Sequence, residues 1–183
     1  MYVLNKKISF GLDEKSIVNA IAEIQKFKQD IQKKADILRD RLAEEIKQEA
    51  QMGFNSSTVD DIISGGSPHT AEVTVDISSS GDITVIVANG EDAVWCEFGS
   101  GVYHNGSAGT SKNPYGVKLG YTIGSYGEGK GKQRVWGFYE DEEARKEKRV
   151  TLTRGTPATM PMFNAAQSVA TRAINIAREV FAT

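Results

Sequence analysis

The sequence is poor in the residues that build disulfide frameworks and soft-metal sites. Its 183 residues include a single cysteine, Cys96, and two histidines, His69 and His104. One cysteine excludes an intramolecular disulfide framework and any zinc site built from several cysteines. Two histidines leave little for a histidine-based metal site, and no cluster of acidic residues has metal-ligand spacing. We therefore expect no metal, no cofactor and synthesis in a reducing cytoplasm.

The sequence also lacks a strong charge of either sign and a long hydrophobic run. Twenty-two Lys and Arg against 24 Asp and Glu give a net charge of −2, which argues against a generic nucleic-acid or membrane-surface binder. No segment approaches the roughly 18 consecutive apolar residues of a membrane span, so we expect no membrane partner. With 39% hydrophobic residues, residues 1–183 are long enough to form one globular domain.

A long helix is the clearest pattern in the chain and is predicted over residues 13–52. Asp13 can cap its first turn, and Gly53 is a typical C-terminal stop. Apolar residues recur on one face of this helix: Ile17, Ile21, Ile24, Ile31, Ala35, Leu38, Leu42 and Ile46. About 38 residues would span roughly 57 Å, whereas a domain of this size is about 33 Å across. Two interpretations stay open: the helix kinks or packs partly on another chain, or it wraps its own sheet with a frayed end.

Apolar residues that alternate with polar ones predict strands after this helix. Residues 71–98 are predicted to hold three strands, the third at Ala93–Phe98, and residues 135–153 hold further strands. Asn89-Gly90 is a favourable turn between the second and third of these strands. A short strand is also predicted within residues 1–12.

The remaining regular segments complete an α+β pattern. A C-terminal helix is predicted over residues 160–181, with Pro161 in its first turn. Residues 54–70 are predicted to be a loop, and the mixed charges from Glu140 to Arg149 indicate a solvated hairpin end or a short exposed helix. We expect an antiparallel sheet of about four to six strands flanked by a long N-terminal and a shorter C-terminal helix.

Residues 99–134 differ from the rest of the chain in composition. They hold ten of the 18 glycines, and they contain several basic residues but a single acidic residue, Glu128. We interpret them as a long, flexible insertion, because such loops in compact domains are usually functional or disordered. Basic and aromatic residues in it could contact DNA or a protein partner: Lys112, Tyr115, Lys118, Tyr121, Tyr126, Lys130, Lys132 and Arg134.

Motifs that carry catalysis are weak throughout. The segment Gly124–Gly131 fits G-x-x-x-x-G-K, but it has Gly131 where a phosphate loop needs Ser or Thr, and a strand pattern follows it instead of a helix. Cys96 is most simply a buried core thiol. On the predicted third strand, Trp95 and Glu97 share the face opposite Cys96. An outward Trp95 is covered by a helix or by a partner, so it is a candidate interface residue.

Four segments carry a resemblance to a known family. They are Val94–Gly101 with its EFGSG end, Asn113–Gly116 (NPYG), Trp136–Tyr139 (WGFY) and Thr153–Ala166 with GTPATMPMFNAA. In this order, and after a long charged helix, they resemble the tail-component family of long-tailed bacteriophages. Members of that family are described as neck, head–tail connector or tail-completion proteins. The resemblance covers roughly residues 10–181.

The resemblance implies a non-enzymatic virion protein, made in the bacterial host cytoplasm, with no catalytic residues to carry over. It implies self-association, with a ring on assembly, and partners among tail-tube, tail-terminator or head-connector proteins, with non-specific contact to DNA in the channel. The matching residues would then be structural or lie at subunit contacts. They are Glu97, Phe98, Gly99, Gly101, Gly155, Pro157, Pro161, Met162 and Ala165.

Two other functions compete with this expectation. A nucleic-acid-binding module would use the basic residues of the 112–134 loop and would bind DNA in a salt-sensitive manner. A nucleotide hydrolase would use Gly124–Gly131 and is the weakest of the three hypotheses, because the magnesium-binding hydroxyl and the following helix are missing from the pattern.

Overall fold

The computed structural model describes residues 6–59, 62–99, 103–104, 107–108, 113–119 and 135–182. These residues contain the helices α1 (Glu14–Asn55), α2 (Asp92–Phe98), α3 (Pro114–Lys118), α4 (Glu142–Glu147) and α5 (Pro161–Ala182). The strands are β1 (Thr58–Val59), β2 (Ile62–Ser64), β3 (His69–Thr70), β4 (Thr74–Ser80), β5 (Ile83–Asn89), β6 (Tyr103–His104), β7 (Ser107–Ala108), β8 (Trp136–Phe138) and β9 (Thr151–Thr153). A long N-terminal helix, a shorter C-terminal helix and antiparallel strands confirm the α+β class.

The strands form several small antiparallel sheets instead of the single sheet of about four to six strands that we expected. Strands β4 and β5 pair along their whole lengths, and we call Thr74–Asn89 the hairpin. Strand β9 lies between β2 and β8 in a three-stranded sheet, while β1 pairs with β3 and β6 with β7. The sheet does not continue beyond β5 because the next segment is helical.

The predicted third strand, Ala93–Phe98, is wrong: these residues belong to helix α2. The buried residues of this segment are Ala93, Cys96 and Glu97, which follow the i, i+3, i+4 spacing of a helix. Gly90, at φ 143°, accepts the backbone N–H of Ala93 through its carbonyl and so starts a helical turn in place of a hairpin. A six-residue segment with five apolar residues fits both the strand period and the helix period, so the local pattern alone could not separate them.

Three smaller predictions have different outcomes. Residues 54–70 are not a plain loop, because they contain the end of α1 and strands β1, β2 and β3. The strand predicted within residues 1–12 is not found at residues 6–12, and residues 1–5 lie outside the described residues. In the charged run, the short-helix alternative is confirmed: α4 begins after Asp141, whose Oδ1 accepts the backbone N–H of Ala144 at 2.6 Å.

Helix α1 begins where the sequence predicted and ends three residues later. Asp13 caps it, because its Oδ1 accepts the backbone N–H of Ser16 at 2.9 Å. Gly53 does not end the helix, which continues to Asn55. Gly53 instead allows α1 and α5 to approach each other, since a Cβ at this position would lie 2.9 Å from the Cβ of Pro161.

Helix α5 runs antiparallel to the second half of α1. Pro161 lies at Gly53, the guanidinium of Arg41 is 2.6 Å from the Glu179 carboxylate, and Lys34 Nζ donates to the carbonyl of Phe181 at 3.4 Å. The hydrophobic core lies where these helices meet the hairpin and α2. It is built from Ala50, Phe54, Val59, Ala71, Val73, Val75, Ala93, Cys96 and Ala165.

The first half of α1 extends beyond this packed body. Polar contacts tie α1 to α5 and to the hairpin. Along α1 they begin at Lys34, which contacts Phe181, and end at Gln51, which contacts Val75. We call Glu14–Lys33 the arm, which at 1.5 Å per residue is about 30 Å long. Three isoleucines of its apolar stripe are exposed to solvent, whereas Ala20, on the same face, is buried with 7% exposed. The exposed fractions are 40% for Ile17, 51% for Ile21 and 54% for Ile24.

Candidate functional site

Glu97 is the centre of the site where the family-like segments meet. Its side chain is buried, with 6% of the residue exposed. Oε2 accepts the backbone N–H of Met162 at 2.9 Å, and Oε1 accepts that of Phe163 at 3.2 Å. The first N–H groups of a helix lack intrahelical partners and favour a negative charge. Glu97 therefore caps α5 from a separate element of the fold.

The NPYG segment joins the same carboxylate. Asn113 Nδ2 donates to Glu97 Oε1 at 3.0 Å, while Asn113 Oδ1 accepts the backbone N–H of Tyr115 at 3.0 Å. The second bond satisfies an early N–H of α3, in the manner of an Asx cap. One asparagine thus ties the start of α3 to the start of α5 through Glu97.

The segment that leads into α5 is fixed by the end of α2. The carbonyl of Cys96 accepts the backbone N–H groups of Thr159 at 2.9 Å and Met160 at 3.0 Å. Met160 has φ 57°, a left-handed conformation that costs a residue with a Cβ about 1–2 kcal/mol. Ser57 Oγ lies 2.7 Å from Thr159 Oγ1, so the end of α1 also holds this turn. We call Glu97, Asn113, the Cys96 carbonyl and residues 155–163 the junction.

The other family-like residues described by the structure lie mainly inside the fold. Gly155, Pro161 and Ala165 are buried, and Trp95, Phe98, Pro157 and Met162 are half-buried. Gly99 is buried, has φ 77°, and donates its N–H to the Trp95 carbonyl at 2.7 Å. Gly101 lies outside the described residues. Of the two roles expected for these residues, the junction favours the structural one.

Placing Trp95 and Glu97 together on the strand face opposite Cys96 was wrong. Both lie on α2, where Glu97 is buried and Trp95 is half-buried. The role of Glu97 as a cap depends on α5, which begins 64 positions further along the chain, so no local pattern indicates it.

The thiol of Cys96 is fully buried, as the sequence predicted. Burial, and then the negative charge of Asp92, raise the pKa of this thiol to about 11. A thiol with so high a pKa is almost wholly protonated near neutral pH and is a poor nucleophile. Cys96 therefore acts as a packing residue, while its backbone carbonyl is the part that serves the junction.

Two of the basic and aromatic loop candidates lie within the described residues. Tyr115 and Lys118 lie on α3, where Lys118 Nζ is 5.1 Å from the centroid of the Tyr115 ring, a distance typical of a cation–π contact. The other loop candidates lie outside the described residues, as does the segment Gly124–Gly131. They are Lys112, Tyr121, Tyr126, Lys130, Lys132 and Arg134. Their role in binding DNA or a partner stays a prediction.

Gln51 is a connecting residue that no sequence signal indicated. Its Nε2 donates to the carbonyl of Val73 at 2.8 Å, and its Oε1 accepts the backbone N–H of Val75 at 2.9 Å. One amide thereby binds the start of the hairpin to α1 with both of its polar ends. Glutamine on a charged helix looks like any surface residue, and only the tertiary structure reveals this role.

Metal-ligand clusters and clefts are two other features that could carry chemistry in the described residues. No group of three or more His, Cys, Asp or Glu residues there could hold a metal ion. An open cleft is lined by Ile62, Ser67, His69, Phe138 and Glu140. None of the described helices combines the length and apolarity needed to cross a bilayer.

Comparison of the chain with protein-family models, with curated proteins and with solved structures returned no match. The resemblance described above therefore rests only on the residues that carry it.

Proposed function

We propose that this chain is a structural protein of the virion of a tailed bacteriophage or prophage, acting at the head–tail junction or in tail completion. The observation that carries the proposal is the junction. Three of the four segments on which the resemblance rests meet there, at Glu97, Asn113 and residues 155–163. Their polar groups bind one another and cap helices, which suits residues that maintain a scaffold.

The exposed arm supports a function in assembly. A monomeric soluble protein rarely presents a large contiguous apolar patch, and the arm presents an isoleucine stripe along a helix that leaves the packed body. A second copy or a tail protein would cover this surface. We therefore propose self-association, and tail-tube, tail-terminator or head-connector proteins as partners, after synthesis in the bacterial cytoplasm.

The function is tested in a phage or induced prophage that encodes this chain. We would disrupt the gene, image the particles by negative-stain electron microscopy, and add the purified protein to the defective lysate. We expect unjoined heads and incomplete or unjoined tails, and recovery of infectious particles on addition of the protein. Immunogold label on intact virions should lie at the neck. Complete infectious particles without the gene product, or virions without the protein, would refute the proposal.

The same purified protein and phage lysate distinguish the structural function from the nucleic-acid-binding alternative. A module that uses the 112–134 loop would bind DNA strongly at low salt, and its affinity would fall steeply as salt is raised. Alanine substitution of Lys130, Lys132 and Arg134 would abolish that binding. Infectivity restored by the same triple variant would favour the structural function over DNA binding.

A further inference from the structure

The arm carries an apolar stripe that its own fold leaves exposed. Ile17, Ile21 and Ile24 follow i, i+4, i+7 spacing and so share one face of α1. The arm is continuous with the half of α1 that packs against α5 and the hairpin. At the tip of the hairpin, Arg39 Nη1 donates to the carbonyl of Gly81 at 3.3 Å. The arm lies beyond that tip, where the segment before α1 contacts it through Lys6, whose Nζ is 3.5 Å from the Glu23 carboxylate.

The hairpin carries a second exposed apolar surface. Val75, on its inner face, is buried against α1. Ile83, Val85 and Val87 point to the opposite face, because side chains alternate along a strand. Their exposed fractions are 67%, 49% and 39%. These three β-branched residues, at every second position of β5, form an apolar strip, which we call the outer strip.

We propose that the arm of one copy packs on the outer strip of the next copy. This inference rests on the self-assembly proposed above and names the surfaces that perform it. The two surfaces match in kind, because a helix stripe commonly packs against a sheet face. They also match in length. Ile17 to Ile24 spans about 10 Å along a helix, and Ile83 to Val87 spans about 13 Å along a strand.

The charges at one end of the two surfaces are complementary. The arm as a whole contains four basic and three acidic residues, and its second half contains three lysines and one acid: Lys26, Lys28, Lys33 and Asp30. Residues 72–91, which include the hairpin, contain four acids and no Lys or Arg: Glu72, Asp76, Asp82 and Glu91. Lys28 follows Ile24 by four residues and so continues the arm's stripe. Asp76 pairs with Val87 across the hairpin and faces the same way, so the ends of the two apolar rows carry opposite charges.

A contact between two different surfaces has a consequence for assembly. Each copy offers one arm and one outer strip, so every subunit can bind a neighbour at both ends. Such a head-to-tail contact closes into a ring if the rotation per subunit allows it, and otherwise extends into a filament.

Two matched triple variants test the contact. The arm variant carries Ile17→Gln, Ile21→Gln and Ile24→Gln, and the strip variant carries Ile83→Thr, Val85→Thr and Val87→Thr. Glutamine keeps helix propensity and threonine keeps strand propensity, and circular dichroism checks that each variant folds. Removing three aliphatic side chains should raise the dissociation constant about 100-fold. By light scattering we expect each variant to be monomeric at concentrations where the wild type is oligomeric.

Mixing the variants gives the sharpest outcome. The arm variant keeps an intact strip and the strip variant keeps an intact arm, so the mixture should form a 1:1 dimer that grows no further. Ile174→Gln on α5 and Leu152→Thr on β9 alter equally apolar exposed positions elsewhere and should leave the wild-type mass unchanged. A mixture that stays monomeric, variants that keep the wild-type mass, or a wild-type protein that is monomeric at millimolar concentration would overturn the inference.

A charge exchange tests the contact without removing apolar surface. Lys28→Glu alone and Asp76→Lys alone should each weaken association at low salt, and the double variant should restore it. Failure of the double variant to recover association would argue against this pairing. Wild-type infectivity with both triple variants in the phage lysate would overturn the contact while the proposed function stands. If the mixed variants form a 1:1 dimer but the protein is absent from virions, the contact stands and the proposed function is overturned.

Discussion

Gly53 and Pro161 touch where the end of α1 meets the start of α5. A methyl group added to Gly53 would lie 2.9 Å from the Pro161 Cβ and 3.3 Å from its Cα. Both of these atoms belong to a rigid ring or to the backbone, so neither can move aside as a flexible side chain would. The spacing between the two longest helices is therefore set by the absence of a side chain at one position.

We expect Gly53→Ala to destabilise the protein, although alanine is the better helix former by about 1 kcal/mol. Forcing atoms into a packed contact costs about 1–3 kcal/mol, which offsets or exceeds the gain in helix propensity. Urea unfolding followed by circular dichroism measures the change. Met52→Ala, at the exposed neighbouring position, is the control and should change the free energy of unfolding by less than about 0.5 kcal/mol. A Gly53→Ala protein more stable than wild type would contradict the close contact.

Glu97→Gln should destabilise the protein by about 2 kcal/mol, because hydrogen bonds to a charged group contribute about 1.5–3 kcal/mol. The amide is similar in size, but it cannot accept the N–H groups of Met162 and Phe163 with both of its polar atoms. Amide hydrogen exchange should increase first at the start of α5. Glu147→Gln, which alters an exposed acid on α4, should have little effect. Equal stability of the two variants would remove Glu97 from the role of a cap.

The Cys96 thiol should resist alkylation in the folded protein. Its pKa of about 11 keeps the thiolate scarce at pH 8, and burial blocks access to it. We expect negligible reaction with an aromatic disulfide reagent under native conditions and one equivalent of reaction after unfolding in urea. Rapid labelling of the native protein would show that the thiol is accessible and that the packing around α2 is looser than described.

The first turn of α1 should loosen in acid. Hydrogen bonding to Ser16 holds the pKa of Asp13 below its usual value of 3.8. The folded state therefore binds this proton less tightly than the unfolded state. The stabilisation is complete above the unfolded pKa and is lost as the pH falls through the lower, folded pKa. Hydrogen exchange at the Ser16 amide, followed by NMR as the pH is lowered, measures the loss. Asp13→Asn keeps a capping oxygen without a titratable group, and its first turn should not depend on pH in this range.

The two long helices were predictable because their evidence is local and repeated. Isoleucines at helical spacing and Asp13 at the start determine α1, and Pro161 marks the start of α5. The short elements were not predictable in the same way. Strands of two or three residues, such as β1 and β3, show no period, and Ala93–Phe98 fits a strand as well as a helix. Where Ala93–Phe98 forms a helix, Glu97 accepts hydrogen bonds from Met162 and Phe163, which lie far along the chain.

The junction was predictable in part. The residues that compose it were singled out by resemblance, but their partners were not. Asn113 and Glu97 meet only because α2 is a helix, and Gln51 bridges to the hairpin only because α1 lies beneath it. These are relationships across the fold, and single-sequence patterns do not contain them.

The pairing of α1 with α5 also bears on how the chain folds during translation. The contact between Ser57 and Thr159 joins positions 102 residues apart, and the contact between Lys34 and Phe181 joins positions 147 apart. Closing such large loops is entropically costly and slows folding. Phe54 and its neighbours therefore lack their cover while the intervening residues leave the ribosome. Until α5 emerges, this apolar surface stays uncovered, and transiently exposed surface of this kind makes an incompletely folded chain prone to aggregation.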